Sequence, residues 1–174
     1  MKKNKNTMNK NNLLYSEGVP IGKFAKITTS FVFLFFIVIA IITSALYPQE
    51  MRLLLSIVGG ICIFIFFMYW NYSALQITLT KNQIKVGYRI FNYKIIPLRN
   101  IISCETTKVS FRKYGGVGIR LGLDGSCAYN TNFGEAVKLI SQNRRPFVFS
   151  TRNPQIICDL INELALSNES FNHR

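Results

Sequence analysis

Residues 27–70 read ITTSFVFLFFIVIAIITSALY, then PQEMR, then LLLSIVGGICIFIFFMYW, and this stretch decides the class of the molecule. No charged side chain occurs from Ile27 to Gln49, and none from Leu53 to Thr80. At about 1.5 Å per helical residue, the apolar runs 27–47 and 53–70 are each long enough to cross a hydrocarbon layer of about 30 Å. Only Pro48, Gln49, Glu50, Met51 and Arg52 separate them, so the two runs close into a tight antiparallel hairpin. The expected organisation is a basic, disordered segment over 1–26, a transmembrane helical hairpin over 27–73, a domain over 74–166 and a flexible tail over 167–174. Tyr47 marks one edge of the hairpin and Tyr69, Trp70 and Tyr72 the other, as aromatic rings do at headgroup level.

Working outward, charge assigns a side. Lys2, Lys3, Lys5, Lys10, Lys23 and Lys26 stand against Glu17 before the hairpin, while Glu50 and Arg52 cancel in its turn. Residues 74–167 carry thirteen Lys and Arg against five Asp and Glu, a net +8 of the chain's formal +13. Both flanks are basic and the turn is not. By the positive-inside bias the expectation is a multi-pass protein of the plasma (inner) membrane with both termini cytoplasmic. A cleaved signal peptide fits poorly, because the lead-in is long and polar and a second apolar run follows at once. Neither run holds an ionisable group, so a channel or transporter acting alone has nothing to run on. Ala40 and Ser44, like Ser56 and Gly60, sit four apart, a spacing that lets two helices approach closely; packing of the hairpin on itself is the expectation, oligomerisation the alternative.

Beyond Ser73 the hydrophobic period changes from helical to alternating. Leu75, Ile77 and Leu79 share one face, as do Ile84, Val86 and Tyr88, and a strand from Tyr93 ends at Pro97. Further strands are expected around 103–109, 117–121, 127–131, 136–140 and 147–150, with Asp124-Gly125 as a hairpin turn. Asn153 then suits an N-cap and Pro154 a first helical position, ahead of Ile156, Ile157, Leu160, Ile161 and Leu164 on one helical face. The fold class is therefore a membrane α-hairpin followed by a mainly-β antiparallel sandwich or barrel of about seven short strands, capped by a C-terminal α-helix.

That order of elements resembles the pleckstrin-homology-like domains of bacterial membrane proteins. The local likeness lies in Tyr114-Gly115-Gly116-Val117-Gly118-Ile119-Arg120, then Ala128-Tyr129-Asn130, Gly134-Glu135-Ala136-Val137 and Ser150-Thr151-Arg152-Asn153-Pro154. The similar proteins usually carry Trp where this chain has Val117. The resemblance spans about Leu75 to Leu164 and implies a curved sandwich plugged by a C-terminal helix behind a pair of transmembrane helices. It implies little about task, since the fold hosts many.

Two groups of residues are candidate binding sites for lipid or another anion. Tyr114, Gly115, Gly116 and Gly118 could form a backbone nest for an anion, with Arg112, Lys113 and Arg120 nearby; equally, the glycines could serve a bulge or tight corner. Lys81, Lys85 and Arg89 lie on the first hairpin of the domain, where eukaryotic relatives of the fold bind phosphoinositides. There the final basic pair is spaced two apart, whereas Lys85 and Arg89 are four apart, which departs from a specific inositide site. Two readings of these cations remain: general attraction to an anionic leaflet, at about 1 kcal/mol for each cation near its surface, or a solvated basic surface kept for topology and solubility.

Catalysis finds no support. His173 is the only histidine, so Cys104 or Cys127 has no base within the domain, and no carboxylate pair stands out among the acids. Neither a metal nor a cofactor is expected; Cys62 lies inside the second apolar run, and Cys104, Cys127 and Cys158 read as free thiols of a cytoplasmic domain. Arg144 and Arg145 make too short a basic run for nucleic acid. The expected function is that of a non-enzymatic membrane-anchored module binding a protein partner, lipid headgroups or its own copies, strand addition at a sheet edge being one route. The alternatives are self-protection (immunity) or envelope stress response against membrane-active peptides, and an accessory subunit of a transporter.

Overall fold

The computed structural model describes residues 12–89, 92–142 and 144–172. Its first element precedes the hairpin: Leu13–Pro20 forms a strand, β1. Two helices follow, α1 over Lys23–Leu46 and α2 over Met51–Tyr72, joined by a 3-10 turn at Pro48–Glu50. Pro48 ends α1, since the residue before a proline is driven from the helical region, and Tyr47 stands at φ −130°, ψ 66°. Within the helices the hydroxyls of Thr28, Thr29, Thr43, Ser44 and Ser56 donate to carbonyls three or four residues back, which satisfies them without water. Both helices are long and apolar enough to cross a membrane, and nothing among the described residues buries their apolar windows.

The helices pack on each other through one face each. Ala40 and Ser44 lie half-buried on that face of α1, whereas Ser56 and Gly60 of α2 are exposed. A Cβ added at Gly59 or Gly60 would meet nothing within 4 Å. The α2 half of the expected small-residue contact therefore points away from α1, and half-buried Leu54, Val58 and Cys62 fill that role.

Behind the hairpin come β2 (Ala74–Thr80), β3 (Gln83–Tyr88), β4 (Lys94–Pro97), β5 (Ile101–Val109), a one-turn helix α3 (Phe111–Tyr114), β6 (Gly118–Leu121), β7 (Cys127–Asn130), β8 (Gly134–Ser141), β9 (Phe147–Ser150) and α4 (Pro154–Asn172). They form a four-stranded sheet ordered β1-β2-β3-β4 and a five-stranded sheet ordered β5-β8-β9-β7-β6. The alternating residues face one shared core: Leu75, Ile77, Leu79, Ile84, Val86 and Tyr88 from the first sheet meet Val137, Leu139, Phe147 and Phe149 from the second. Helix α4 closes this core with Ile157, Cys158 and Ile161. Each such buried aliphatic side chain contributes about 1.5–3 kcal/mol. A smaller cluster of Val109, Tyr114, Ala128, Ala136 and Val148 joins α3 to the second sheet.

Five expectations need correction. Residues 13–20 are not disordered, because their backbone completes the edge of the first sheet against β2 from Leu13↔Thr80 to Pro20↔Ala74; residues 1–11, with Lys2, Lys3, Lys5 and Lys10, lie outside the described residues. The domain is not wholly antiparallel, since β7 and β9 run parallel, Ala128 opposite Val148. Cys104 and Cys158 are not free thiols: with Cα atoms 5.3 Å apart they form a disulfide between β5 and α4, leaving Cys62 and Cys127 as thiols. Ile156 is half exposed, and Cys158 takes its place on the buried face of α4. That helix runs on to Asn172, where a flexible tail was expected, and residues 173–174 lie outside the described residues.

Candidate functional site

The root of the hairpin is built into the domain. Strand β1 enters α1 and α2 feeds β2, so the β1–β2 pairing brings both flanks of the hairpin to the same end. The connection is bonded throughout: Ile21 N–H donates to the Ser73 carbonyl (2.8 Å), Gly22 N–H to that of Thr131 (2.8 Å), and Thr131 Oγ1 to that of Val19 (3.2 Å). Glycine at position 22 leaves room for the Asn132 side chain, which an added Cβ would displace. Aromatic contacts continue inward from α2. Tyr72 meets Tyr88 edge-on at 4.8 Å, Tyr88 stacks on Tyr129 at 5.8 Å, and Tyr129 meets Phe147 at 5.0 Å. On the other side of the root, Phe24 of α1 packs edge-on against Phe111 of α3 and against Phe133.

Between these contacts lies a cavity of about 420 Å³, walled by Ala25 and Thr29 of α1, Ile65, Met68, Tyr69 and Tyr72 of α2, and Val117 to Arg120, Asn130 and Thr131 of the domain. Ile65 stands seven residues before the end of α2, so β6 laps the hairpin to a height of about 10 Å. The walls are mostly apolar and include no acidic residue among the described residues. Arg120 supplies the charge. Its Nε donates to the Val117 carbonyl (3.1 Å), and no carboxylate among the described residues lies within ion-pair distance of it. Asn130 is wholly buried, and its Nδ2 donates to the Gly116 carbonyl (3.1 Å). That bond fixes the orientation of the amide, since the reverse would set oxygen against oxygen. Asn130 Oδ1 is then left with no donor among the described residues. The Asn130 carbonyl accepts from Tyr88 Oη (3.0 Å), and burial raises the Tyr88 hydroxyl far above the ordinary phenol range, so it remains a donor.

The glycine motif serves the backbone of this wall. Gly115 ends α3 in the left-handed region at φ 68°, its N–H donating to the Phe111 carbonyl at 2.6 Å. Gly116 lies beneath the Arg120 guanidinium, where a Cβ would stand 3.3 Å from Nη2. Tyr114 turns inward, its hydroxyl sharing a hydrogen bond with Ser126 Oγ (2.9 Å). Of the cations expected near these glycines, Lys113 is held by Asp124 (2.7 Å), while Arg112 is exposed beside Phe111. Arg120 alone of the three lines the cavity.

Lys81, Lys85 and Arg89 do not form one surface. The Lys81 turn lies at the far end of β2, about 20 Å from the hairpin root at about 3.3 Å per residue. Lys85 sits midway along β3 with Nζ 4.1 Å from the centre of the Tyr93 ring. Only Arg89 returns to the root, its guanidinium 5.0 Å from the Trp70 ring centre. At the root, then, stand Arg89, Arg112 and Arg120, with Lys23 and Lys26 in the first turn of α1. Asn130 and Tyr72 were not singled out as site residues from the sequence. A signal existed for Asn130, a polar side chain in the same phase as buried Ala128.

No known family model matches the chain, and neither a curated protein nor a solved structure does.

Proposed function

We propose that this chain is a non-enzymatic, membrane-anchored module whose pleckstrin-homology-like domain engages anionic lipid at the inner leaflet, around the root of its own hairpin. The observation that carries the reading is a group of cations at the root: Lys23, Lys26, Arg89, Arg112 and Arg120 stand beside the uncharged helices, whereas the Lys81 turn lies at the far end of β2. Two sheets around one core with a C-terminal helix support the fold assignment. The parallel β7–β9 pair and the strand upstream of the hairpin depart from it.

On this reading the helices cross the bilayer and both flanks are cytoplasmic, since Arg52 is the only cation in the turn region against the cations of the root. The Cys104–Cys158 disulfide favours a second placement, with the domain in an oxidising compartment. The charge bias acts during insertion and on the residues next to the helices, so we give it precedence. Hydrogen exchange of the full chain in nanodiscs tests the lipid reading. Residues 111–121 should be more protected in discs containing phosphatidylglycerol than in pure phosphatidylcholine, and the difference should shrink as salt screens it over about 8 Å. Identical protection at low salt would rule out lipid engagement and leave a protein partner as the remaining reading.

A further inference from the structure

The cavity at the hairpin root combines two features that a structural void does not need together. Its volume of about 420 Å³ far exceeds one water's share of about 30 Å³ and falls within the range of ligand sites, about 300–1,000 Å³. It is bordered by the exposed guanidinium of Arg120, which has no carboxylate partner among the described residues.

The position of the cavity selects the class of ligand. Thr29 and Ile65 stand at the edge of the uncharged helices, where headgroups give way to acyl chains, and the α1 and α2 walls are apolar. We infer that this cavity binds the headgroup end of one anionic phospholipid: the phosphate lies against Arg120, and the first methylenes run past Thr29, Ile65 and Met68. The rest of the chains stay in the bilayer. Arg120 suits this task because a planar guanidinium offers parallel N–H donors to a phosphate. Gly116 leaves that guanidinium room. The inference rests on the lipid reading above but is narrower, since it names one stoichiometric site.

Native mass spectrometry of the detergent-solubilised full chain tests it, with phosphatidylglycerol, phosphatidylcholine, glycerol 3-phosphate and inorganic phosphate as probes. The expected result is one phosphatidylglycerol retained per chain, with phosphatidylcholine and both soluble phosphates retained weakly. Arg120→Gln should weaken retention by about tenfold or more, the loss of a charge-assisted hydrogen bond. Arg120→Lys should restore part of it. Thr29→Phe, which fills the apolar half and spares Arg120, should abolish it, whereas the distant Lys81→Gln should change nothing. Melting curves check that each variant is folded. For the unaltered chain, a phospholipid with a photoreactive headgroup should crosslink to residues 117–131. Unchanged retention in folded Arg120→Gln and Thr29→Phe, or crosslinks confined to the outer faces of the helices, would overturn the site. Binding of the soluble phosphates as strong as that of the lipid would overturn it too. If the salt-sensitive protection in nanodiscs persisted in any of these cases, the wider lipid reading would survive; if that protection were also absent, both would fall.

Discussion

Single residues at the root and in the turns carry separable roles. Gly115 adopts φ 68° with open space around it, so Gly115→Ala should cost about 1 kcal/mol through backbone strain alone. Gly87 differs: an added Cβ would stand 2.7 Å from the Tyr93 Cα, so Gly87→Ala must displace backbone and should lower Tm by more than Gly115→Ala. Denaturation of the two variants side by side checks the order. Asp124 offers a pH test. The hydrogen bond from Lys113, followed by those from Ser126, holds its carboxyl well below the usual carboxylate range. Its contribution is therefore full above the unfolded value of about 4 and is lost as pH falls through the lower folded value. Because Asp124 is more than a third exposed, the effect is small after solvent screening. Asp124→Asn should lower Tm slightly at neutral pH and converge on the unaltered chain in acid.

At the scale of elements, β1 and α4 are joined by one carboxylate. Glu17 Oε2 accepts from Tyr15 Oη and Thr151 Oγ1, and Oε1 accepts from the Arg152 N–H (3.0 Å), so the strand before the hairpin is tied to the loop that starts α4. Glu17→Ala leaves buried Thr151 without this acceptor and should cost about 1–3 kcal/mol, with faster hydrogen exchange at both 13–20 and 151–153. Faster exchange at 13–20 alone would mean that the carboxylate does not couple the two segments. Much of this layer was legible in the sequence. The strands after the hairpin follow apolar alternation, Leu75-Ile77-Leu79 and Ile84-Val86-Tyr88 above all, because one face of each meets the shared core. The strand over 13–20 was not legible, since it lies at a sheet edge and its inward row is Tyr15, Glu17 and Val19, where only Val19 is buried and the charged Glu17 breaks the apolar alternation. Nor was α3, a single turn, or the parallel β7–β9 pair, which depends on chain crossing rather than local pattern. The disulfide joins residues 54 apart, and no local spacing encodes that. For the site, Arg120 and the glycines could be nominated from sequence. The separation of Lys81 from Arg89 was implicit in the expected hairpin, whose turn holds Lys81 and whose open end, next to α2, holds Arg89.

For the whole molecule, the pairing of β1 with β2 has a topological consequence. Where the helices cross a membrane, a sheet assembled from chain on either side of the hairpin keeps both flanks on one side of it, so any arrangement with an odd number of crossings would break the sheet. The compartment is then decided between the basic root and the Cys104–Cys158 disulfide. The central claim is that the hairpin crosses the membrane and holds the domain against its cytoplasmic leaflet. Cysteine labelling in intact cells tests it most directly, using otherwise cysteine-free chains that carry either Gln49→Cys in the turn or Lys81→Cys at the exposed far end of the domain. An impermeant maleimide should label Gln49→Cys from outside and Lys81→Cys only after the membrane is opened. Labelling of Lys81→Cys in intact cells, with Gln49→Cys protected, would put the domain on the opposite side and contradict the account.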